Sequence, residues 1–289
     1  MMSSSLRRVP LCLARSLAIL GLIGGVAVVS SQVSGAGASS SADSGPVSAT
    51  IARELTGVTL SEFNSVGVTS NTTAVGVPTV LKSEPLLSVK LSKTVSVPWI
   101  VYIGAEFCPF CAAERWPLIV ALSRFGKWSG LAMTASYSGD IYPNTASFTF
   151  AKAKYVSPYL SFSSVEEFHN YLNAAGTSYA QFQSPSAQET ALFTKFDTSP
   201  YTSSPGSIPF ISIGGRAFVF GASFTPAVLA NLSQAQIAKD LMSASNNVSR
   251  PIIATANMIT AGICFATKDL PHAVCLTKGV EAATRAMKL

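Results

Sequence analysis

Trp-Ile-Val-Tyr-Ile-Gly-Ala-Glu-Phe-Cys-Pro-Phe-Cys-Ala-Ala-Glu-Arg-Trp, residues 99–116, carries the organisation of this chain. It opens on an apolar, β-branched run, residues 99–103, of the length of a buried strand. Gly104 and Ala105 loosen the chain at its end. Cys108-Pro109-Phe110-Cys111 follows, and then Trp116, Ile119, Val120, Leu122 and Phe125 recur at spacings of three and four, which predicts a helix over residues 109–125. Pro117 should kink that helix, and Gly126 should end it.

A strand that runs into C-x-x-C at the mouth of a helix has a chemical rationale. Cys108 takes the N-cap, and Pro109 suits the first helical position, where its missing N–H costs nothing. Free backbone N–H groups and the positive end of the helix dipole stabilise a thiolate at Cys108. Cys108 is then the candidate nucleophile. Cys111, one turn later, is the resolver that closes a disulfide. A fixed disulfide, or half of a zinc site, uses the same spacing. A zinc knuckle needs a second C-x-x-C or a Cys/His pair at ligand spacing. The chain has neither, and its two histidines, His169 and His272, are not at ligand spacing to Cys108. No metal site is expected.

The segment Ala105-Glu106-Phe107-Cys108 with Cys111 resembles the active-site segment of thioredoxins, and its Pro-Phe dipeptide is similar to the glutaredoxin type. The wider stretch through Ala112-Ala113-Glu114-Arg115-Trp116 to Ala121-Leu122-Ser123-Arg124-Phe125 resembles a thioredoxin-like family of unassigned function, the domain of unknown function 929 family. That resemblance covers most of the chain after the leader. It implies an α/β thioredoxin-like fold over residues 86–289: a central mixed sheet flanked by helices, a helical insertion at about 138–205, and C-terminal helices from about 225. It implies a cis-proline opposite the C-x-x-C, and Ile208-Pro209, followed by a strand, a Gly-Gly turn and a second strand, matches that layout. Ile208 and Pro209 are thus the expected substrate-binding residues. The implied activity is thiol–disulfide exchange with protein thiols and disulfides. It needs a redox-recycling partner and no cofactor beyond the cysteine pair.

The chain departs from the thioredoxin pattern at one informative place. Thioredoxin carries a buried Asp six residues before the first cysteine, and Tyr102 stands there, a poor base at neutral pH. Glu106 is the nearer candidate for proton transfer, or else a solvated loop carboxylate. Glu114 and Arg115 read as a surface ion pair. The strongest disulfide oxidants of the superfamily hold a His between the cysteines, so Pro-Phe points to a less oxidising pair.

The 289 residues allow one large domain or two small ones. The formal charge of +6 includes Arg7, Arg8 and Arg15, and without them it is +3, too little to indicate nucleic acid. Those arginines precede an uncharged apolar run, residues 17–29, and a small-residue site at Ala36-Gly37-Ala38. Residues 1–38 are therefore a cleaved signal peptide or an uncleaved membrane anchor. Either way the expected location is outside the cytoplasm, secreted or tethered to the outer face of the membrane. The Ser/Ala/Gly-rich stretch after the leader begins a flexible linker and N-terminal extension, residues 39–85. Cys12 belongs to the leader. The other four cysteines are an even set, and the simplest pairing joins Cys108 to Cys111 and Cys264 to Cys275 as a structural staple. The alternative to an enzyme is a binding module of the same fold in which Cys108–Cys111 is a permanent disulfide.

Periodicity supplies the remaining elements. Residues 47–55 form a short helix, 59–79 are irregular or short strands, and 86–97 are an edge strand. Residues 131–137 and 145–150 are further core strands. A helix starts at Ser163 on a Ser164/Glu167 capping-box pattern, with Phe168, Tyr171 and Leu172 on its apolar face. Helices follow over 185–196, 226–232, 234–242 (with Ser233 as N-cap), 252–265 and 280–287. Tyr142, Tyr155, Tyr159 and Phe162 belong to the core and edge strands or line a peptide groove.

Overall fold

A computed structural model describes residues 44–70 and 73–289, and for 69, 70 and 73 the backbone only. The leader lies outside the described residues. The main sheet is built from β1 (Thr79–Val80), β2 (Ser88–Lys90) and β3 (Ser96–Gly104), then β6 (Ser161–Glu166), β9 (Phe210–Ile213) and β10 (Ala217–Phe220). Two strands between them, β4 (Ala132–Ala135) and β5 (Ala146–Thr149), pair with each other and with Gly45–Pro46 in a separate sheet. A hairpin, β7 (Phe168–Leu172) and β8 (Tyr179–Gln181), follows β6.

The main sheet runs in the order β6-β3-β9-β10-β1, with β2 against the start of β3. β6 is parallel to β3, Ser161 facing Trp99 and Glu166 facing Gly104. β9 is antiparallel to β3, and β10 to β9. The sheet is thus mixed and the fold α/β. Side chains of β3 alternate between two cores, as a pleated strand requires. Ile100 and Tyr102 enter the larger cluster, and Val101 and Ile103 the smaller one. This is why the run is apolar without a break: both faces are covered.

The helices are α1 (Ala49–Thr56), α2 (Leu60–Ser65), α3 (Pro109–Leu122), α4 (Ala187–Phe196), α5 (Gln234–Asp240), α6 (Ser249–Thr267), α7 (His272–Cys275) and α8 (Lys278–Ala286). α3 and α6 pack together in the large core, where Trp116, Leu118 and Ile119 meet Ile252, Ile253 and Ile259. Trp116 is fully buried and donates its indole N–H to the Ala146 carbonyl at 2.9 Å. α4 places Leu192 and Phe196 in the small core against Phe210 and Phe218 on the other face. Cys264, near the end of α6, is disulfide-bonded to Cys275 in α7. Among the described residues no helix is long and apolar enough to cross a membrane.

Several local expectations give way to tertiary pairing. The helix expected from Ser163 is instead β6 and β7. The capping box does not form; the Glu167 N–H donates to the Gly104 carbonyl at 2.7 Å. Full pairing with β3 outweighs a local capping pattern, and Tyr171 and Leu172 are exposed rather than inward. The inserted region is accordingly not helical throughout: it contributes β5, β6, β7 and β8 and a single helix, α4. Residues 131–137 and 145–150 do form strands, β4 and β5, but in the side sheet. Within 59–79, Thr59 caps an unexpected helix, α2, by accepting the Glu62 N–H at 3.4 Å. The segment before residue 86 also supplies α1 and the edge strand β1, and residues 226–229 are a 3-10 turn.

Candidate active site

The two cysteines lie where β3 hands over to α3. Cys108 is the N-cap, with extended φ and ψ of −78° and 120°, and Pro109 follows at the first helical position. Its sulfur accepts the Cys111 N–H at 3.4 Å. Both residues carry free thiols; Cys108 is 5 % exposed and Cys111 fully buried. Across from them the Ile208–Pro209 peptide bond is cis, and the Ile208 carbonyl oxygen lies 3.8 Å from Cys108 Sγ. β9 begins immediately after it, so the register of β9 on β3 sets this loop opposite the helix mouth.

The thiols are electrostatically unequal. A hydrogen bond from the Cys111 thiol draws Cys108 down from its ordinary pKa, against the cost of burial. The Cys111 N–H, the Arg115 charge and the Phe110 N–H add to that lowering. Cys111 moves the other way, well above the usual thiol range, because it is buried, donates to Cys108 and faces the charge that forms there. A nucleophile ready to ionise thus sits beside a resolver that holds its proton.

The positive charge acting on both thiols is Arg115, and sequence reasoning misplaced it. Glu114 and Arg115 do not form a surface ion pair; both are fully buried and face different partners. Arg115 Nε and Nη2 grip the Glu166 carboxylate at 2.9 and 2.5 Å, and Nη2 also reaches the Ala105 carbonyl at 2.7 Å. Burial works against the Arg115 charge, but Glu166, Tyr102 and Cys111 hold it firmly protonated. Glu114 accepts hydrogen bonds from Ser223 instead. A signal was present: α3 is otherwise apolar all round, so it has no solvated face for a charge.

Glu106 is buried as well. Its carboxylate lies 3.4 Å from His169 Nδ1, and His169 is stacked on Phe182 at 3.8 Å. Tyr102 stands on the inner side of the site with its hydroxyl buried and unbonded. Aromatic rings rim the opening. Phe107 stacks on Tyr179 at 3.7 Å, and Phe110, 38 % exposed between the cysteines, meets the edge of Tyr142 at 5.9 Å. Tyr155, Tyr159 and Phe162 pack on the large core.

Comparison with known proteins adds a family and nothing finer. The family model described as Domain of unknown function (DUF929) matches residues 90–265, which include β3, both cysteines, Glu166 and the Ile208–Pro209 loop. No curated protein and no solved structure matches the chain.

Proposed function

For this chain, which belongs to the DUF929 family, we propose thiol–disulfide exchange with protein substrates on a thioredoxin-like scaffold. The observation that carries the reading is the unequal thiol pair: Cys108 is lowered at a helix N-cap, and Cys111 is raised one turn behind it. Cys108 attacks a substrate disulfide, and Cys111 then displaces the substrate from the mixed disulfide. The scaffold reading is supported by topology. A parallel strand pair flanks the cysteine helix, and two antiparallel strands follow a cis-proline whose preceding carbonyl faces Cys108. Ile208 and Pro209 would shape the substrate groove, with Phe110 and Tyr142 on its rim. The cysteine pair is the only redox group the reaction requires. The arginine-flanked leader and the Cys264–Cys275 bond support a site of action outside the cytoplasm, where disulfides persist.

The experiment is a thiol redox titration of the chain from residue 39 onward. The protein is equilibrated in graded dithiol buffers and trapped with an alkylating mass tag. The tags are then mapped to each cysteine. The expected result is a Cys108–Cys111 couple in the range of known exchangers (roughly −120 to −270 mV) with Cys264–Cys275 still oxidised. A Cys108–Cys111 pair that yields only to the harshest reductant, or a Cys108 without an acidic thiolate, overturns the proposal and leaves a binding module.

A further inference from the structure

Two buried hydrogen-bond donors on the residues around the cysteine pair have no partner among the described residues: the Tyr102 hydroxyl and Arg115 Nη1. Both residues are fully buried. Native proteins rarely leave such groups unmade, and each case calls for a reason. A methyl built on Gly104 would lie 2.2 Å from the Tyr102 hydroxyl oxygen and 3.0 Å from Cys111 Sγ, so hydroxyl and thiol flank the same point. Arg115 follows Cys111 by four residues, which sets both side chains on one face of α3. Its guanidinium carbon lies 5.7 Å from the centre of the Tyr102 ring. The other guanidinium nitrogens are committed to Glu166 and Ala105, which fixes the group's orientation and leaves Nη1 over.

We propose that Tyr102 Oη and Arg115 Nη1 are positioning donors held in place for the Cys111 thiolate. A neutral thiol is a weak acceptor and leaves them unbonded; the thiolate is a strong one. The inference rests on the exchange reading above. In that reaction the Cys108 thiolate attacks a disulfide R–S–S–R′, a Cys108–SR bond forms, and R′S⁻ leaves. R′S⁻ takes the Cys111 proton and becomes R′SH. The Cys111 thiolate then attacks Cys108 Sγ, closing the protein disulfide and expelling RS⁻, which regains from solvent the proton Cys108 had released. The protein dithiol is oxidised and the substrate disulfide reduced, by two electrons each. The middle step needs a thiolate in a dry site, where preorganised donors act most strongly. Burial raises the Tyr102 hydroxyl well above its ordinary pKa, so it serves as a donor and not as the base.

The test uses the full chain carrying Cys12→Ser and Cys108→Ser, which leaves Cys111 outside the Cys264–Cys275 bond as the thiol to follow, with and without Tyr102→Phe. Cys111 ionisation is followed by thiolate ultraviolet absorbance and by alkylation rate against pH. Loss of the hydroxyl should lower the Cys111 thiolate fraction at a fixed pH by about tenfold and at the same time raise the melting temperature, because an unbonded buried group is gone. Superimposable titration curves overturn the assignment. So does a Tyr102→Phe chain that is less stable or does not fold, since the hydroxyl would then have a structural partner. Failure of the parent chain to exchange disulfides, with the Cys111 curve still shifted by Tyr102→Phe, would remove the exchange reading and leave the donors in place.

Discussion

Glu114 and Ser223 close a buried clasp between the cysteine helix and the loop after β10. Ser223 donates its N–H to one carboxylate oxygen at 2.8 Å and its hydroxyl to the other at 3.0 Å. Both residues are buried. Burial pushes the Glu114 carboxyl up to about 7, against the pull of the two serine bonds.

The sign of the resulting pH dependence follows from proton counting. The unfolded chain ionises Glu114 near 4.5, while the folded chain keeps the proton to about 7. Between these values the folded state binds more protons, so this group's contribution is full below the lower value and is lost as pH rises through the upper one. The total loss is about 3 kcal/mol. Glu114→Gln should remove it. In urea denaturation the stability of the variant relative to the parent should rise with pH across that window and level off above it. A constant difference would show that Glu114 does not titrate there.

Arg115→Met should cost about 3–5 kcal/mol in the same assay, because it strands the Glu166 carboxylate in the core. Adding Glu166→Leu should restore much of that loss, since an apolar pair of similar volume avoids the desolvation cost. The single variant should also slow Cys108 alkylation at neutral pH, as the thiol loses a cation that lowers it. An unchanged alkylation profile in a folded variant would contradict the electrostatic role given to Arg115.

Gly104→Ala places a methyl 2.2 Å from the Tyr102 hydroxyl, 2.6 Å from its ring carbon and 3.0 Å from Cys111 Sγ. Overpacking of this kind costs about 1–3 kcal/mol. Tyr102→Phe in the same chain removes the closest contact and should recover part of that loss, leaving the ring contact. Additive thermal shifts for the two substitutions would mean that the methyl escapes the hydroxyl by another route.

Replacing Cys264 and Cys275 together by alanine reopens a loop with a sequence separation of 11. The expected cost is about 2–3 kcal/mol, by the entropy of the unfolded chain. The rate of Cys108 alkylation should not change, because the bond joins α6 to α7 and touches neither thiol. A large change in that rate would couple the staple to the redox pair.

Much of the site was legible because its parts are neighbours in the chain. Residues 99–111 spell strand, loop and capped helix within one short window, and Cys108 at the N-cap depends only on the residues beside it. Ser233 marked the start of α5 in the same way, and the structure closes capping boxes at both Ser233 and Ser186. The same short-range logic failed at Ser164 and Glu167, where the pattern of a helix start lies in a strand pair. Nothing local reports that β3 needs a parallel neighbour, and pairing along its whole length outweighs a capping signal.

By itself the sequence determined that two cysteines stand at the mouth of an apolar helix, that a proline opens a later strand, and that a second cysteine pair is available for a staple. Only the tertiary structure decided what surrounds the thiols. Glu166 lies 51 residues from Arg115, and Ser223 lies 109 from Glu114. Whether a charged side chain meets water or a partner is set by what packs over it, here α6 and the sheets, and that covering comes from segments far away in the chain. The same covering left Tyr102 Oη and Arg115 Nη1 buried and unbonded, which no spacing rule could have disclosed.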